Sequence, residues 1–408
     1  MNVAVVGLGR VGLPLALSFA DRGLEVIGVE REPAVLEQVA AGRMPYRETG
    51  TQELLERVLA SDRLTTTRSV QDAAGADHIV LTLGTPAHVH IEIDMSQIKQ
   101  VVDDLLPVLR EGQSLILRST VAPGTTDWVA GYIEQRRGFR VGEDLFVAHV
   151  PERIAENHFL EEIATLPCIV GGVGEGSGAK AAELFEVFGA EIVQTTPVQA
   201  ELAKIWTNIL RYTQFALPNL LMMEAEQYGA NVFDVIDLIN RDYPRGGIAH
   251  PGLTAGACLR KDFTFSEERS SAPGMLLAVS RVHETVPLFL VKGLKSRLGE
   301  LRDRKIAVLG LTFKRDSDDL RDSLSFKLVR LLERELAHVA RHDPHVAADT
   351  EPLDAALDGA EAVVIATNHS AFEDLLGRLP DGMLLVDPWN VTGSGRVFGT
   401  VRERAAVE

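Results

Sequence analysis

A cysteine at position 258 has the clearest chemical potential in this chain. Cys258 lies in residues 256–262 (GACLRKD), where the glycine predicts a tight turn and the cations predict an electropositive setting. Such a setting favours the thiolate, which is the nucleophilic form of cysteine. A thiolate can trap an aldehyde as a thiohemiacetal, so that an alcohol is oxidised past the aldehyde to an acid. A buried, unreactive cysteine is an equally good interpretation of this segment taken alone.

A glycine motif near the N-terminus predicts a dinucleotide site. Residues 7–12 (GLGRVG) follow a short apolar strand and open a helical pattern. Gly7 permits a tight turn, Gly9 lets a pyrophosphate approach the backbone, and Gly12 allows close packing of the helix on the strand. Glu30 ends the next strand, where an acid binds a ribose 2′-hydroxyl and repels a 2′-phosphate, so NAD is favoured over NADP. The alternative is a glycine turn in an α/β fold that binds no nucleotide.

Two further sets of polar residues are candidates for a ligand site. Residues 151–156 (PERIAE) follow an apolar strand, and carboxylates at the C-terminal end of a parallel strand lie where such sheets bind ligands. Their other interpretation is the acidic start of a helix. Lys204, Asn208 and Arg211 share one face of a predicted helix, where they could hold an alkoxide or an ordered water, or simply form an exposed polar face.

A charged segment and a pair of histidines are weaker indications of a ligand site. Residues 314–321 (KRDSDDLR) resemble a solvated charged loop, and the spacing of their acids does not match a calcium loop. His88 and His90 lack further ligands at zinc spacing, so we predict a loop with two histidines and no metal site.

Length and composition predict a globular protein of two or three domains. The chain has 408 residues, of which 46% are hydrophobic and 24% charged. Its formal net charge of −17 argues against nonspecific binding of nucleic acid. Two cysteines cannot build a disulfide framework, and Cys168 lies in an apolar run typical of a buried strand. Without a signal-peptide pattern or a membrane-spanning run, the predicted location is the cytoplasm, with no membrane partner.

The alternation of strands and helices predicts the fold class. Apolar strands are expected at 3–6, 25–29, 79–83, 115–117 and 146–150, and again at 306–310, 338–342, 362–366 and 384–387. The region between them reads as helix over 198–241 and 274–298, and Pro218 should kink or divide the first of these helices. We therefore predict an α/β protein with two Rossmann-like doubly wound domains joined by a central helical domain, with boundaries 1–196, 197–300 and 301–408.

These motifs together resemble the UDP-glucose/GDP-mannose dehydrogenase family of nucleotide-sugar 6-dehydrogenases over nearly the full chain. The motifs fall in the order of the family: residues 7–12, 84–86 (GTP), 119–126 (STVAPGTT), 151–153 (PER), Lys204 with Asn208, Cys258 with Lys261 and Asp262, 310–314 (GLTFK) and 318–321 (DDLR). The resemblance implies that the first domain binds NAD, the central helices form a homodimer and the last domain binds the nucleotide of a UDP-sugar.

The resemblance also implies roles for individual residues. The catalytic set is Cys258 as nucleophile, Lys204 and Asn208 for oxyanions, Asp262 and Thr120 for positioning water, and Glu152 for acid–base work or water activation. The residues expected near NAD are Gly7, Gly9, Arg10, Val11, Gly12, Glu30, Arg31, Thr85, Pro86, Thr120, Glu156, Lys261 and Arg321. The residues expected near the sugar nucleotide are Glu152, Arg153, Ile154, Lys204, Asn208, Arg211, Tyr243, Arg245, Gly252 and Lys314. For residues 314–321 this replaces the interpretation as a solvated loop.

The implied reaction is a four-electron oxidation of C6 of a UDP-sugar to a uronic acid with NAD. Residues 151–156, Arg211 and residues 243–245 (YPR) are similar to UDP-N-acetylmannosamine dehydrogenases, while UDP-glucose and UDP-N-acetylglucosamine stay open as substrates. Ala255, Arg260, Arg315 and Asn157 depart from the pattern of the family, and Arg260 could lower the pKa of the thiol or reshape the pocket. A β-hydroxyacid dehydrogenase and a non-catalytic nucleotide-sugar sensor are the rival functions.

Overall fold

The architecture is described from a computed structural model, in which residues 1–85, 94–253, 256–267 and 274–401 are described. By backbone contacts the described chain forms two compact units. The first contains residues 1–207 and the end of a later helix from Thr264, and the second contains residues 208–263 and the remainder of the chain. The division at 196/197 and 300/301 into three domains stays a prediction.

The first unit is built on a largely parallel sheet. Its strands are β1 (Asn2–Val6), β2 (Glu25–Val29), β3 (Leu64–Thr67), β4 (His78–Leu81), β5 (Ser114–Leu117), β6 (Phe146–His149), β7 (Cys168–Gly172) and β8 (Ile192–Thr195). They lie in the order β3-β2-β1-β4-β5-β6-β7-β8, and only β6 and β7 pair antiparallel among them. The chain leaves β1 on one side for β2 and returns on the other with β4, so the switch point where such sheets bind ligands lies at the end of β1.

Helices cover both faces of this sheet and bury its strands. They are α1 (Gly12–Asp21), α2 (Pro33–Ala40), α3 (Thr51–Ala60), α4 (Ser96–Leu105), α5 (Thr125–Arg137), α6 (Phe159–Thr165) and α7 (Gly174–Phe185), with 3-10 turns at 70–75 and 186–188. Alternate residues of β1 enter separate apolar clusters, Val3 and Val5 in one and Ala4 and Val6 in the other. This burial on both faces explains why the strands are continuously apolar in sequence.

The second unit combines helices with a smaller sheet. The helices are α8 (Pro197–Gln227), which starts in the first unit, α9 (Val232–Asn240), α10 (Ala257–Glu267) and α11 (Met275–Leu298). Then follow β9 (Lys305–Leu309), α12 (Ser325–Arg334), β10 (His338–His342), α13 (Leu353–Leu357), β11 (Ala362–Ile365), β12 (Leu384–Val386) and β13 (Phe398–Thr400), with 3-10 turns at 370–372 and 375–378. The strand order is β10-β9-β11-β12-β13, and β13 is antiparallel to β12. The predicted α/β architecture with two Rossmann-like sheets and helices between them in sequence is confirmed.

One predicted helix break lies at a different residue. Helix α8 continues through Pro218, which is buried, and the chain leaves the helix only after Gln227. Gly229 adopts a left-handed φ of +66°, and the Ala230 amide donates to the Ala225 carbonyl, which closes the end of the helix. Packing therefore outweighs the lost backbone hydrogen bond at the proline, and the glycine ends the helix.

The length and hydropathy of the helices bear on the prediction that the chain has no membrane-spanning segment. Within the described ranges, no helix is both long and apolar enough to cross a bilayer.

A buried histidine at the end of β6 makes stability depend on pH. His149 has no solvent exposure, and burial lowers its pKa to about 3. The folded chain therefore keeps this imidazole neutral, whereas an unfolded chain protonates it below about pH 6.5. The unfolded state then binds the extra proton, so stability is fully present above pH 6.5 and falls as the pH decreases toward 3.

We expect His149 to contribute about 2 kcal/mol to the loss of unfolding free energy between pH 7 and pH 5. The His149→Leu variant should show a smaller drop in its thermal midpoint over that range than the wild type. His158→Leu is the control, because the His158 side chain is 56% exposed. An unchanged pH slope in the His149 variant would show that this histidine has the same pKa in the folded and the unfolded protein.

Candidate active site

The glycine motif has the backbone geometry that a dinucleotide requires. Gly7 has a φ of +98°, and a Cβ on Gly12 would lie 1.8 Å from the Gly7 carbonyl oxygen. A Cβ on Gly9 would have no neighbour within 4 Å among the described residues, so the loop is open at this point. The first and third glycines are thus needed for the fold, and the second leaves room for a phosphate to approach, which fits NAD.

Two predicted cofactor residues lie at the end of β2. The Glu30 carboxylate accepts hydrogen bonds from the Leu8 amide at 2.8 Å and the Glu32 amide at 3.0 Å. Glu30 therefore fixes the glycine loop directly, in addition to its predicted role at the ribose. Arg31 is exposed and lies 3.5 Å from the Glu32 carboxylate.

Two pairs of predicted cofactor residues are formed by contacts between loops that follow strands. Val11 occupies the position before α1 without a capping hydrogen bond from its side chain, and Arg10 forms a half-buried ion pair of 3.0 Å with Glu156. The Thr85 hydroxyl donates to the Thr120 carbonyl at 2.8 Å, which joins the loops after β4 and β5. Pro86, His88 and His90 lie outside the described residues.

Glu152 is held by a partner that sequence reasoning missed. Nε and Nη2 of Arg118 contact Glu152 Oε2 at 3.1 and 2.6 Å, and Oε1 accepts the Ile154 amide at 2.7 Å. Arg118 is only 5% exposed, and its guanidinium lies over the Phe185 ring at 5.0 Å. A lone arginine at the end of an apolar strand was the available signal, because a buried charge requires a partner.

This ion pair lines a cleft in the first unit. The cleft is also lined by Arg153, Ile154, Phe185 and Cys168. Arg153 donates to the Pro167 carbonyl at 2.5 Å. Cys168 is half-buried, less than its apolar run predicts, and burial raises the pKa of its thiol. A raised pKa makes Cys168 a poor thiolate and leaves Cys258 as the candidate nucleophile.

Cys258 lies on the first turn of a helix, which corrects the predicted tight turn. Helix α10 begins at Ala257, and Cys258 is exposed at its second position. The positive end of the helix dipole favours a thiolate there. The turn itself is made by Gly256, whose φ is +109° and whose added Cβ would lie 2.6 Å from the Phe313 ring. Ala255 lies outside the described residues.

Two predicted catalytic residues of the second unit contact each other. The Asn208 amide donates to Asp262 Oδ2 at 2.5 Å, and Lys261 Nζ lies 3.8 Å from Oδ1 of the same carboxylate. Asp262 has no exposure, and Asn208 is 5% exposed. Lys204 precedes Asn208 by one turn of α8 and is half-buried.

The structure explains how the chain accommodates Arg260, which departs from the pattern of the family. Its guanidinium lies 3.1 Å from the Glu284 carboxylate and 3.3 Å from that of Asp322. The charge is therefore compensated by two acids, and the residue ties α10 to α11 and to the loop before α12. Asn157, another departure, adopts a left-handed φ of +69°, which asparagine tolerates better than most residues.

The charged loop at 314–321 is folded on itself. The Phe313 amide donates to the Asp319 carbonyl at 3.0 Å, and Arg321 forks onto the buried Asp319 carboxylate. Lys314 is half-buried at the start of this loop. The loop is thus an ordered structure, and the solvated-loop interpretation from charge alone was wrong.

A cluster beside this loop has side chains of the kinds that bind metals. Ligand atoms of Asp316, His345 and His369 lie within 4.8 Å of one another. His369 Nδ1 accepts the Asp316 amide at 2.9 Å, and its Nε2 lies 3.2 Å from Asp343. Both ring nitrogens of His369 are therefore already bonded, and the cluster is a hydrogen-bonded network that holds the loop.

The remaining predicted substrate residues are spread over α8 and the 241–253 segment. Arg211 is exposed, and Arg245 donates to the Tyr243 hydroxyl at 2.9 Å while lying over its ring. Gly252 is buried under the Trp389 indole, which an added Cβ would meet at 2.2 Å. Its glycine is therefore explained by packing, and its role toward substrate stays a prediction.

Comparison with known proteins identifies the class that these features define. Models of the UDP-glucose/GDP-mannose dehydrogenase family match the chain in three parts: the NAD binding domain at 1–189, the central domain at 198–285 and the UDP binding domain at 307–394. The chain is 31% identical over 402 residues to the UDP-N-acetyl-D-mannosamine dehydrogenase of Pyrococcus horikoshii, and the match covers 96% of each chain.

Two solved structures are similar over nearly the whole chain. The UDP-D-ManNAc dehydrogenase of Pyrococcus horikoshii superposes with a TM-score of 0.89 at 31% identity, covering 96% of both chains. The UDP-glucose dehydrogenase of Pyrobaculum islandicum gives 0.86 at 30% identity, covering 95% of this chain and 94% of the other. The chain belongs to the UDP-glucose/GDP-mannose dehydrogenase family. It is an NAD-dependent nucleotide-sugar dehydrogenase, and the three matched domains favour this class over both rival functions.

Replacing Gly256 tests whether the turn before Cys258 positions the thiol. A Gly256→Ala variant must strain a left-handed backbone and displace the Phe313 ring, so we expect kcat to fall about 10–100-fold. NADH formation at saturating substrate is the measurement. Gly247→Ala is the control, since Gly247 has a φ of +106° but no atom within 4 Å of an added Cβ among the described residues. Equal losses in the two variants would attribute the effect to backbone strain alone.

Proposed function

We propose that this protein oxidises C6 of a UDP-sugar to a uronic acid, with UDP-N-acetylmannosamine as the substrate. The observation that carries the four-electron chemistry is an exposed Cys258 at the N-terminus of α10. The mannosamine sugar is supported by the names of the relatives and by residues 151–156, Arg211 and 243–245. UDP-glucose is the second candidate, because a UDP-glucose dehydrogenase has a similar structure.

The proposed reaction has two oxidations and one hydrolysis. The overall balance is one primary alcohol, two NAD and one water giving one carboxylate, two NADH and three protons. When bound, NAD accepts a hydride from C6 in each of the two oxidations. Between them the Cys258 thiolate attacks the aldehyde carbon, and the resulting thiohemiacetal becomes a thioester after the second oxidation. Water then releases the acid and returns the thiol.

The polar residues have separate proposed tasks in these steps. Lys204 is half-buried on α8 and is proposed to supply positive charge for each oxyanion. Asn208 donates to Asp262 and so fixes the carboxylate that is proposed to position the hydrolytic water. The role of Thr120 toward that water stays a prediction. Glu152 accepts hydrogen bonds from Arg118 and from the Ile154 amide, which supports an orienting role.

A comparison of NADH yields tests this proposal. The wild type should form two NADH per UDP-N-acetylmannosamine consumed, whereas Cys258→Ser should form at most one NADH per active site and then stall. Cys168→Ser is the matched control and should retain both oxidations. The covalent route is rejected if Cys258→Ser keeps the steady-state rate, and UDP-glucose run in parallel identifies the preferred sugar.

We also propose a homodimer that uses the exposed apolar residues of α8. Trp206, Leu210, Leu217 and Leu220 lie on one stripe of this helix and are 57%, 58%, 47% and 47% exposed. Apolar residues exposed at helical spacing are typical of an association surface. A second copy of the chain is the proposed occupant, in line with the implied role of the central helices. The cytoplasmic location stays a prediction.

The α8 stripe can be tested by a charge placed in its middle. Leu210→Glu should convert the dimer to a monomer, because a carboxylate would be buried without a partner. Light scattering after size-exclusion chromatography gives the mass. Leu238→Glu on α9 is the control, with a leucine that is 69% exposed. A wild type of monomer mass, or a Leu210 variant of dimer mass, would contradict the proposed interface.

A further inference from the structure

A tyrosine outside every predicted motif contacts the glycine loop. Tyr46 lies between α2 and α3, and its hydroxyl donates to the carbonyls of Leu8, at 3.1 Å, and of Gly9. Both carbonyls belong to the motif that receives the pyrophosphate. Burial raises the pKa of Tyr46 well above its usual range, so the hydroxyl stays protonated and remains a donor at neutral pH.

The planarity of the peptide bond gives this contact a consequence for the cofactor. In a trans peptide, the carbonyl and the next amide N–H point in opposite directions. Anchoring the Leu8 carbonyl therefore aims the Gly9 amide away from Tyr46, and anchoring the Gly9 carbonyl does the same for the Arg10 amide. An added Cβ at Gly9 meets no described atom within 4 Å, so there is open space at this loop for a phosphate to approach.

The tyrosine is itself fixed from two directions. Its ring lies under the Arg10 guanidinium at 5.3 Å, and Arg10 pairs with Glu156. Two residues further along, the Glu48 carboxylate accepts the amides of Asn157, at 2.9 Å, and Phe159, at 3.1 Å. Tyr46 and Glu48 thus connect the two loops, because Tyr46 contacts the glycine loop and Glu48 contacts the loop after β6.

We propose that Tyr46 is a positioning residue for the pyrophosphate of NAD, acting through the peptide planes of residues 8–10. The hydrogen bonds of Glu48 hold the backbone between α2 and α3. They thereby fix the position of the Tyr46 hydroxyl against the glycine loop. The inference rests on the NAD binding domain of the family and does not depend on the identity of the sugar or on the chemistry of Cys258.

The Tyr46→Phe variant removes the hydroxyl and keeps the ring under Arg10. We expect its Kd for NAD, measured by calorimetry without a sugar nucleotide, to rise about 3–10-fold, as for the loss of one hydrogen bond. The Kd for ADP-ribose should rise by the same factor, because both ligands carry the pyrophosphate. In steady state the KM for NAD should rise with kcat nearly unchanged, since the proposed effect of Tyr46 is on the pyrophosphate, through the carbonyls of Leu8 and Gly9.

Tyr132→Phe is the matched control within the same unit. It also loses one hydroxyl, which donates to Asp103 at 2.6 Å between α5 and α4. The thermal midpoints of both variants report any general loss of stability. Wild-type affinity of Tyr46→Phe for NAD, or equal weakening in both variants, would overturn the proposal. A variant with weakened NAD binding but no change for ADP-ribose would also overturn it.

Discussion

The structure depends on how the backbone is held where the first strand of each sheet ends. Gly7 follows β1 and Gly310 follows β9, with φ values of +98° and +88°. In each case a carboxylate from the end of the neighbouring strand binds the next amide: Glu30 binds Leu8 at 2.8 Å, and Asp343 binds Leu311 at 2.6 Å. The amides that turn away from the sheet need a partner, and a carboxylate there satisfies them and fixes the direction of the loop.

The two units use this turn for different purposes. After Gly7 the chain enters α1 at once, and the close approach of Gly12 leaves an open loop of amides for a phosphate. After Gly310 the chain makes the long loop 311–323, which Asp343 and His369 hold in place through hydrogen bonds to Leu311 and Asp316. Repetition is therefore visible in the backbone and its carboxylate anchor, while the glycine spacing is not repeated in sequence.

Features set by neighbours in sequence were predicted well, and features set by distant contacts were not. The strands and the glycine motif follow from local apolar runs and from turn geometry, and the structure confirms the fold. The glycine at 256 predicts a turn at Cys258, but the structure has a helix there that begins at Ala257. The residues after the glycine (Ala, Cys, Leu, Arg and Lys) include strong helix formers, which is the signal for that helix. Arg118 with Glu152 and Asn208 with Asp262 are 34 and 54 residues apart, so sequence indicated some members of each pair but not their contact.

The chain has a net charge of −17, and several of its arginines form ion pairs with carboxylates. Such pairing limits the number of cations that can attract an anionic ligand. Arg10, Arg260 and Arg321 each contact a carboxylate, and so their fields are largely cancelled at a distance. Lys204 and Arg211 have no such partner among the described residues, and of these Lys204 is half-buried while Arg211 is exposed. A charge acts more strongly where water is partly excluded, and this supports the proposal that Lys204 stabilises an oxyanion. The paired arginines instead hold the loops and helices on which the reacting groups are carried.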